Sequence, residues 1–101
     1  MKKLEDIEFF VCDEYEVSVL DLKSKSRIRP LPEARHVYFY LAKKYTKKTA
    51  RQITCRLNRD RSLVPFVYNK NQPNSIVSKI LFDGDLRTKI DAIERMIVER
   101  K

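Results

Sequence analysis

Apolar residues recur along this chain at helical spacing, broken by short polar stretches. Leu4, Ile7, Val11 and Tyr15, widened by Phe10, predict a first helix over residues 3–15, with Lys3, Glu5, Glu8 and Asp13 on its other faces. Val17, Val19, Leu20 and Leu22 form a compact apolar knot in which Ser18 can cap one short turn. The polar, basic run KSKSRIRP, residues 23–30, ends in a proline and predicts a loop. Pro32 suits the first turn of a helix over 31–45. Val37, Tyr38, Leu41, Ala42 and Tyr45 give that helix a broad stripe, and Phe39 and Tyr40 extend it, so it should be central and buried on more than one side. After the break TKKT, Thr49 and Gln52 have capping-box spacing for a helix over 50–57 facing inward with Ala50, Ile53 and Leu57.

The run NRDRS, 58–62, is the next turn, and either Asp60 or Ser62 can cap a helix through about residue 70 carrying Val64, Val67 and Tyr68. NQPN at 71–74 breaks the pattern again. Ile76, Val77, Ile80 and Leu81 then predict a short helix, with a strand left open by the β-branched content. Asp85, in the DGD run at 83–85, is expected to cap a last helix whose Leu86, Ile90, Ile93 and Ile97 give the clearest amphipathic signal in the chain.

These elements predict an all-α fold, a small helical domain with a helix-turn-helix and an amphipathic C-terminal helix. The 101 residues make room for one domain, 1–101, and one modest core. A single glycine, Gly84, argues against a sandwich or barrel, which needs many tight turns.

Charge adds direction to this picture. The net charge is +8, and its distribution is uneven. Between Lys23 and Lys70 stand 14 Lys or Arg against only Glu33 and Asp60, whereas the rest of the chain holds 8 basic and 12 acidic residues. A basic middle between mildly acidic ends points to a polyphosphate partner. Cys12 and Cys55 form no CxxC pair and are expected to be reduced thiols packed as small hydrophobes. MKKLEDIEFF meets Glu5, Asp6 and Glu8 before an apolar leader segment can form, and no stretch approaches the ~20 apolar residues of a membrane span. A cytoplasmic, nucleoid-associated protein is expected.

Two short helices joined by the 58–62 turn have helix-turn-helix spacing, a motif that sets its second helix in the major groove of DNA. The residues opening that helix, Arg59, Asp60, Arg61, Ser62 and Leu63, are the candidates for base contacts. Arginine donates two bonds to guanine, aspartate accepts from cytosine, and serine serves either. Arg35, Lys47, Lys48, Thr49, Arg51 and Arg56 are the candidates for phosphates, which position a protein without reading sequence. The extended loop offers Lys25, Arg27 and Arg29 to a minor groove, where narrow A·T-rich DNA concentrates negative potential.

Residues 3–70 resemble the C-terminal DNA-binding domain (domain IV) of the bacterial replication initiator DnaA. Arg35-His36-Val37-Tyr38-Phe39-Tyr40-Leu41-Ala42-Lys43 is similar to that family's Arg-Gln-hydrophobic helix ending Tyr-Leu-Ala-Lys, and Asp21-Leu22-Lys23-Ser24-Lys25 to the segment leading into its basic loop. Ile53, Leu57 and the run Arg59-Asp60-Arg61-Ser62-Leu63-Val64 follow its Ile, Phe and Arg-Asp-His-Ser/Thr-Thr-Val signature in order. The resemblance implies duplex DNA as partner, groove entry by the recognition helix and a loop in the minor groove.

This chain departs from the signature in several places. Arg61 stands for the base-reading His and Leu63 for the second Thr. Asn58 replaces Gly-Gly in a turn one residue shorter. Pro65 lies early in the recognition helix. It would kink a helix capped by Asp60 and is tolerated in the first turn of one capped by Ser62, the preferred arrangement. Residues 71–101 extend beyond the resemblance, 71–82 look like an insertion, and no P-loop is found.

Catalysis is not expected. His36 is the only histidine and lacks the partners of an activated nucleophile, and Asp83 and Asp85 lack the remaining ligands of a calcium loop. Neither a metal nor another cofactor is implied. The leading expectation is a duplex DNA binder regulating replication or transcription, with a phage or mobile element as a natural home. The alternative is a protein-interaction module whose 86–97 helix pairs with a second copy or a partner helix. RNA binding ranks last, because most Tyr and Phe fall at core spacing rather than forming stacking platforms.

Overall fold

The computed structural model describes residues 3–99, and the outer two positions at each end of the expected domain lie outside the described residues. Within it run seven helices: α1 Leu4–Tyr15, α2 Val19–Lys23, α3 Leu31–Tyr45, α4 Ala50–Cys55, α5 Leu63–Val67, α6 Ile76–Lys79 and α7 Gly84–Glu99. No strand occurs among the described residues, so the all-α expectation holds and the 76–81 ambiguity resolves to a helix. Among the described residues no helix is long and apolar enough to cross a membrane.

Local chemistry starts most of these helices. The Ser18 hydroxyl accepts the Asp21 N–H at 3.0 Å ahead of α2, and Pro32 lies in the first turn of α3. Thr49 and Gln52 form the expected reciprocal box, Thr49 Oγ1 accepting from the Gln52 N–H at 3.1 Å and Gln52 Oε1 from the Thr49 N–H at 2.9 Å. At α7 the cap differs from expectation. Asp83, not Asp85, accepts the Leu86 N–H at 3.1 Å, because the helix already begins at Gly84.

The core gathers around α3, whose Ala34, Val37, Tyr38, Phe39, Leu41 and Ala42 are all buried; α3 packs chiefly on α1 and α5, and α7 packs on α1. Leu86, Ile90, Ile93 and Ile97 of α7 are at most 4% exposed, each contributing roughly 1.5–3 kcal/mol over an exposed position. The stripe that the interaction-module alternative needs for a partner is therefore filled by the chain's own core. Glu94, on the same helix, accepts from Lys44 Nζ and from Tyr45 Oη, each at 2.6 Å, tying α7 to the end of α3.

Two expectations on α1 and α4 need correction. Glu8 is buried, because Arg56 at the end of α4 pairs with it and Lys23 Nζ approaches to 3.7 Å. Cys12 packs as a small hydrophobe, but Cys55 is exposed. Burial, reinforced by the Glu8 and Asp21 carboxylates, pushes the Cys12 thiol up to about 11.

Candidate nucleic-acid interface

The helix-turn-helix is formed by α4, a tight turn and α5. Beyond Cys55 the backbone closes with the Asn58 N–H on the Cys55 carbonyl at 3.1 Å and the Arg59 N–H on the Thr54 carbonyl at 3.0 Å. This paired closure puts its central residue in the left-handed region, and Asn58 has φ 55°. Asparagine thus takes up at 58 the conformation that glycine adopts most easily.

The start of α5 combines both arrangements considered for Pro65. Asp60 Oδ1 accepts the Ser62 N–H at 2.9 Å, and the Leu63 and Val64 N–H groups bond the Asp60 and Arg61 carbonyls in a tight 3₁₀ turn. That N–H bond holds the Asp60 carboxyl below its usual range. The α-helix proper begins only at Leu63, so Pro65 sits in its first turn, where its missing donor is tolerated. Ser62 makes no side-chain cap. The helix also ends at Val67, short of the expected residue 70, because Tyr68 turns against α3. The Tyr68 ring stacks on Tyr40 at 5.0 Å, and its hydroxyl donates to the Tyr40 carbonyl at 2.5 Å. Val64 and Val67 are buried beneath, which fixes the helix on α3.

Arg61 and Ser62 are exposed at the tip of this unit beside Asp60, and Leu63 is half-buried. Lys25, Arg27 and Arg29 are exposed on the loop, and Lys47, Lys48, Thr49 and Arg51 at the start of α4. The fold brings part of the first two groups together and leaves Arg29, Asp60, Arg61 and Ser62 outside the shared cleft. Lys25 and Arg27 from the loop, and Arg59 and Leu63 from the helix-turn-helix, line one cleft of about 440 Å³ floored by His36 and Phe39. The α4 group lines no part of it. Lys79 of α6 joins Arg27 and Arg29 along a neighbouring cleft. Sequence reasoning missed Lys79 because it lies outside the basic segment, and its charge was the only signal.

Three expected contact residues are engaged by the protein itself, and one of them, Arg35, is buried. Arg35 is 4% exposed: its Nε donates to the Leu22 carbonyl at 2.7 Å, Nη1 to Ser26 at 2.6 Å, and Nη2 to Ser24 at 2.8 Å and Asp21 at 3.0 Å. This burial, with Arg59 nearby, lowers the Arg35 pKa from its ordinary value. Arg56 is taken up by Glu8. Arg59 donates to the Ser24 carbonyl at 2.6 Å and to the Leu57 carbonyl at 3.1 Å. In the free protein Arg35 and Arg56, where phosphate contacts were expected, are thus held by partners within the fold, and Arg59, where a base contact was expected, is held by the loop. No cluster of His, Cys, Asp or Glu suited to a metal ion occurs among the described residues.

Comparison with known proteins fits this architecture. The family described as bacterial dnaA protein helix-turn-helix matches residues 4–70, from the start of α1 to just beyond α5. The chromosomal replication initiator protein DnaA of Campylobacter fetus subsp. fetus is 29% identical over 99 residues, covering 97% of this chain and 22% of that protein. Its namesake from Streptococcus thermophilus (strain LMD-9) is 34% identical over 95 residues, covering 93% of this chain and 20% of that protein. The chain spans about a fifth of the length of these curated relatives. Both alignments continue past residue 70, so the likeness reaches into the segment expected to be an extension. Because the family model matches well over half of its length, residues 4–70, the chain belongs to the bacterial DnaA helix-turn-helix family, a family of DNA-binding domains.

Proposed function

We propose that this domain binds duplex DNA with the start of α5 in the major groove and the 23–30 loop in the adjacent minor groove. Asp60, Arg61, Ser62 and Leu63 contact base edges, Lys25, Arg27 and Arg29 enter the minor groove, and Lys47, Lys48, Thr49 and Arg51 hold phosphates. The observation that carries this reading is the shared cleft, where loop cations and the recognition-helix start meet across a few side chains. Lys79 extends the same positive surface beside Arg27 and Arg29. The domain acts without catalysis or cofactor, as a regulator of replication or transcription at sites resembling those of the initiator family.

Fluorescence anisotropy tests this on a duplex carrying a DnaA box and on a scrambled duplex, each at several salt concentrations. Box-preferring binding that weakens steeply with salt is the expected result. Equal affinity for both duplexes would retain DNA as partner and reassign the site read. No binding at low salt would overturn the proposal.

A further inference from the structure

Ser24, at the root of the basic loop, receives two guanidinium groups on one carbonyl oxygen. Arg35 reaches it from α3 at 2.8 Å, and Arg59 from the helix-turn-helix at 2.6 Å. The two arginines have different reach. Arg35 binds four carbonyls between Asp21 and Ser26, so it shapes the loop root from within and from α3. Arg59 alone of the pair comes from the recognition unit, and its other donor holds the Leu57 carbonyl at 3.1 Å, beside the left-handed Asn58. A planar guanidinium with its donors in a fixed fork suits such a bridge between two carbonyls, whereas a lysine ammonium is a point charge on a flexible stem.

Beyond the root, the loop is braced by its own hydroxyls. The Ser26 N–H donates to Ser24 Oγ and the Ile28 N–H to Ser26 Oγ, each at 3.2 Å. The brace runs from Ser24 toward Arg27 and Arg29, so a displacement of Ser24 is carried to the loop tip. We propose that Arg59 is a positioning residue that fixes the minor-groove loop at a set distance from the recognition helix, so that the two grooves are read as one unit. The groove assignment rests on the proposed function above, while the coupling is a property of the free protein. Without Arg59, the loop loses its tie to the turn and Arg27 must be ordered on binding.

Two measurements decide it. The first is amide hydrogen exchange of the free domain, wild type against Arg59→Ala. Exchange at Ser26 and Ile28 should accelerate by about 10-fold or more while α1, α3 and α7 keep their protection. Equal acceleration in those helices would reduce Arg59 to a general stabiliser, and unchanged loop amides would remove the tie altogether. The second is a double-mutant cycle on duplex DNA. Arg27→Ala should weaken wild-type binding by roughly 10-fold but the Arg59→Ala protein by less than about 3-fold, with Arg59→Lys between. Additive losses, or a preference lost at a single major-groove base pair with the loop amides unaltered, would overturn the proposal and return Arg59 to base reading. If the wild-type domain binds no duplex, the function proposed above fails, and the exchange experiment still decides the coupling.

Discussion

The carboxylate of Glu8 on α1 pairs with the guanidinium of Arg56 at the end of α4, across 48 positions of chain. Glu8 is 2% exposed and Arg56 33%, so the pair lies at the edge of the core with its acid inside. The bond to Glu8, chiefly, raises the Arg56 pKa. Removing the arginine leaves a buried carboxylate with only Lys23 at 3.7 Å, so Arg56→Ala should destabilise the fold. With allowance for the partial exposure of the arginine, the loss is about 2 kcal/mol, or roughly 8–16 °C in Tm. The salt dependence of DNA binding by the folded protein should not change. Thermal melts and a salt titration check both, and an unchanged Tm with a log–log slope reduced by about one would put Arg56 on a phosphate.

Glu8 also marks where sequence reading stops. Helix starts were legible at Ser18, Pro32 and Thr49–Gln52 because each depends on residues within three positions of one another. The α7 stripe was legible because periodicity is local too. At Glu8 the spacing predicts an outward face, and only the arrival of Arg56 from α4 makes burial of a charge tolerable. Arg35 and Arg59 were open to misreading for a related reason. Their partners are backbone carbonyls, which every residue carries and no composition reveals. At 83–85 two carboxylates flank one glycine, and period alone does not choose Asp83 over Asp85.

Two helix ends close through non-glycine residues in the left-handed region, Glu16 at φ 56° after α1 and Asn58 at φ 55° after α4. At both, the following N–H reaches back five residues, Val17 to Cys12 at 3.1 Å and Arg59 to Thr54 at 3.0 Å. A Cβ in this region costs about 1–2 kcal/mol, less for asparagine than for glutamate. Glu16→Gly should therefore raise stability by about 1 kcal/mol and Asn58→Gly by less, whereas Asn58→Val should lower it. Chemical denaturation midpoints check the order, and a loss of stability in Glu16→Gly would contradict it.

His36 packs against the rings of Phe39, centroids 6.2 Å apart, and Phe66 at 5.7 Å. Burial first, then Lys79 and Arg35, holds its pKa below the ordinary 6.5. The folded state thus prefers neutral imidazole, and the unfolded chain binds the proton more readily. This contribution to stability is complete above the unfolded value and is lost as pH falls through 6.5 toward the folded value. Tm should drop between about pH 7.5 and 5.5 by more in the wild type than in His36→Gln. Parallel pH profiles for the two proteins would remove His36 as the cause.

Arg61 and Lys48 are both exposed cations of the basic segment, yet they stand at different places in the helix-turn-helix. Arg61 lies in the turn that opens α5, between Asp60 and Ser62 on the face assigned to base edges, whereas Lys48 precedes the Thr49 cap of α4. A base contact discriminates among sequences, and a phosphate contact does not. Arg61→Ala should relax preference at one base pair and cost about 1–3 kcal/mol on the preferred duplex, with a smaller loss on random DNA. Lys48→Ala should weaken all duplexes alike and lower the slope of log affinity against log salt by about one. Competition binding against a panel of single-base variants, repeated at several salt concentrations, separates the two. Equal losses for Arg61→Ala on preferred and random duplexes would move Arg61 to the phosphate backbone and leave base reading to Asp60, Ser62 and Leu63.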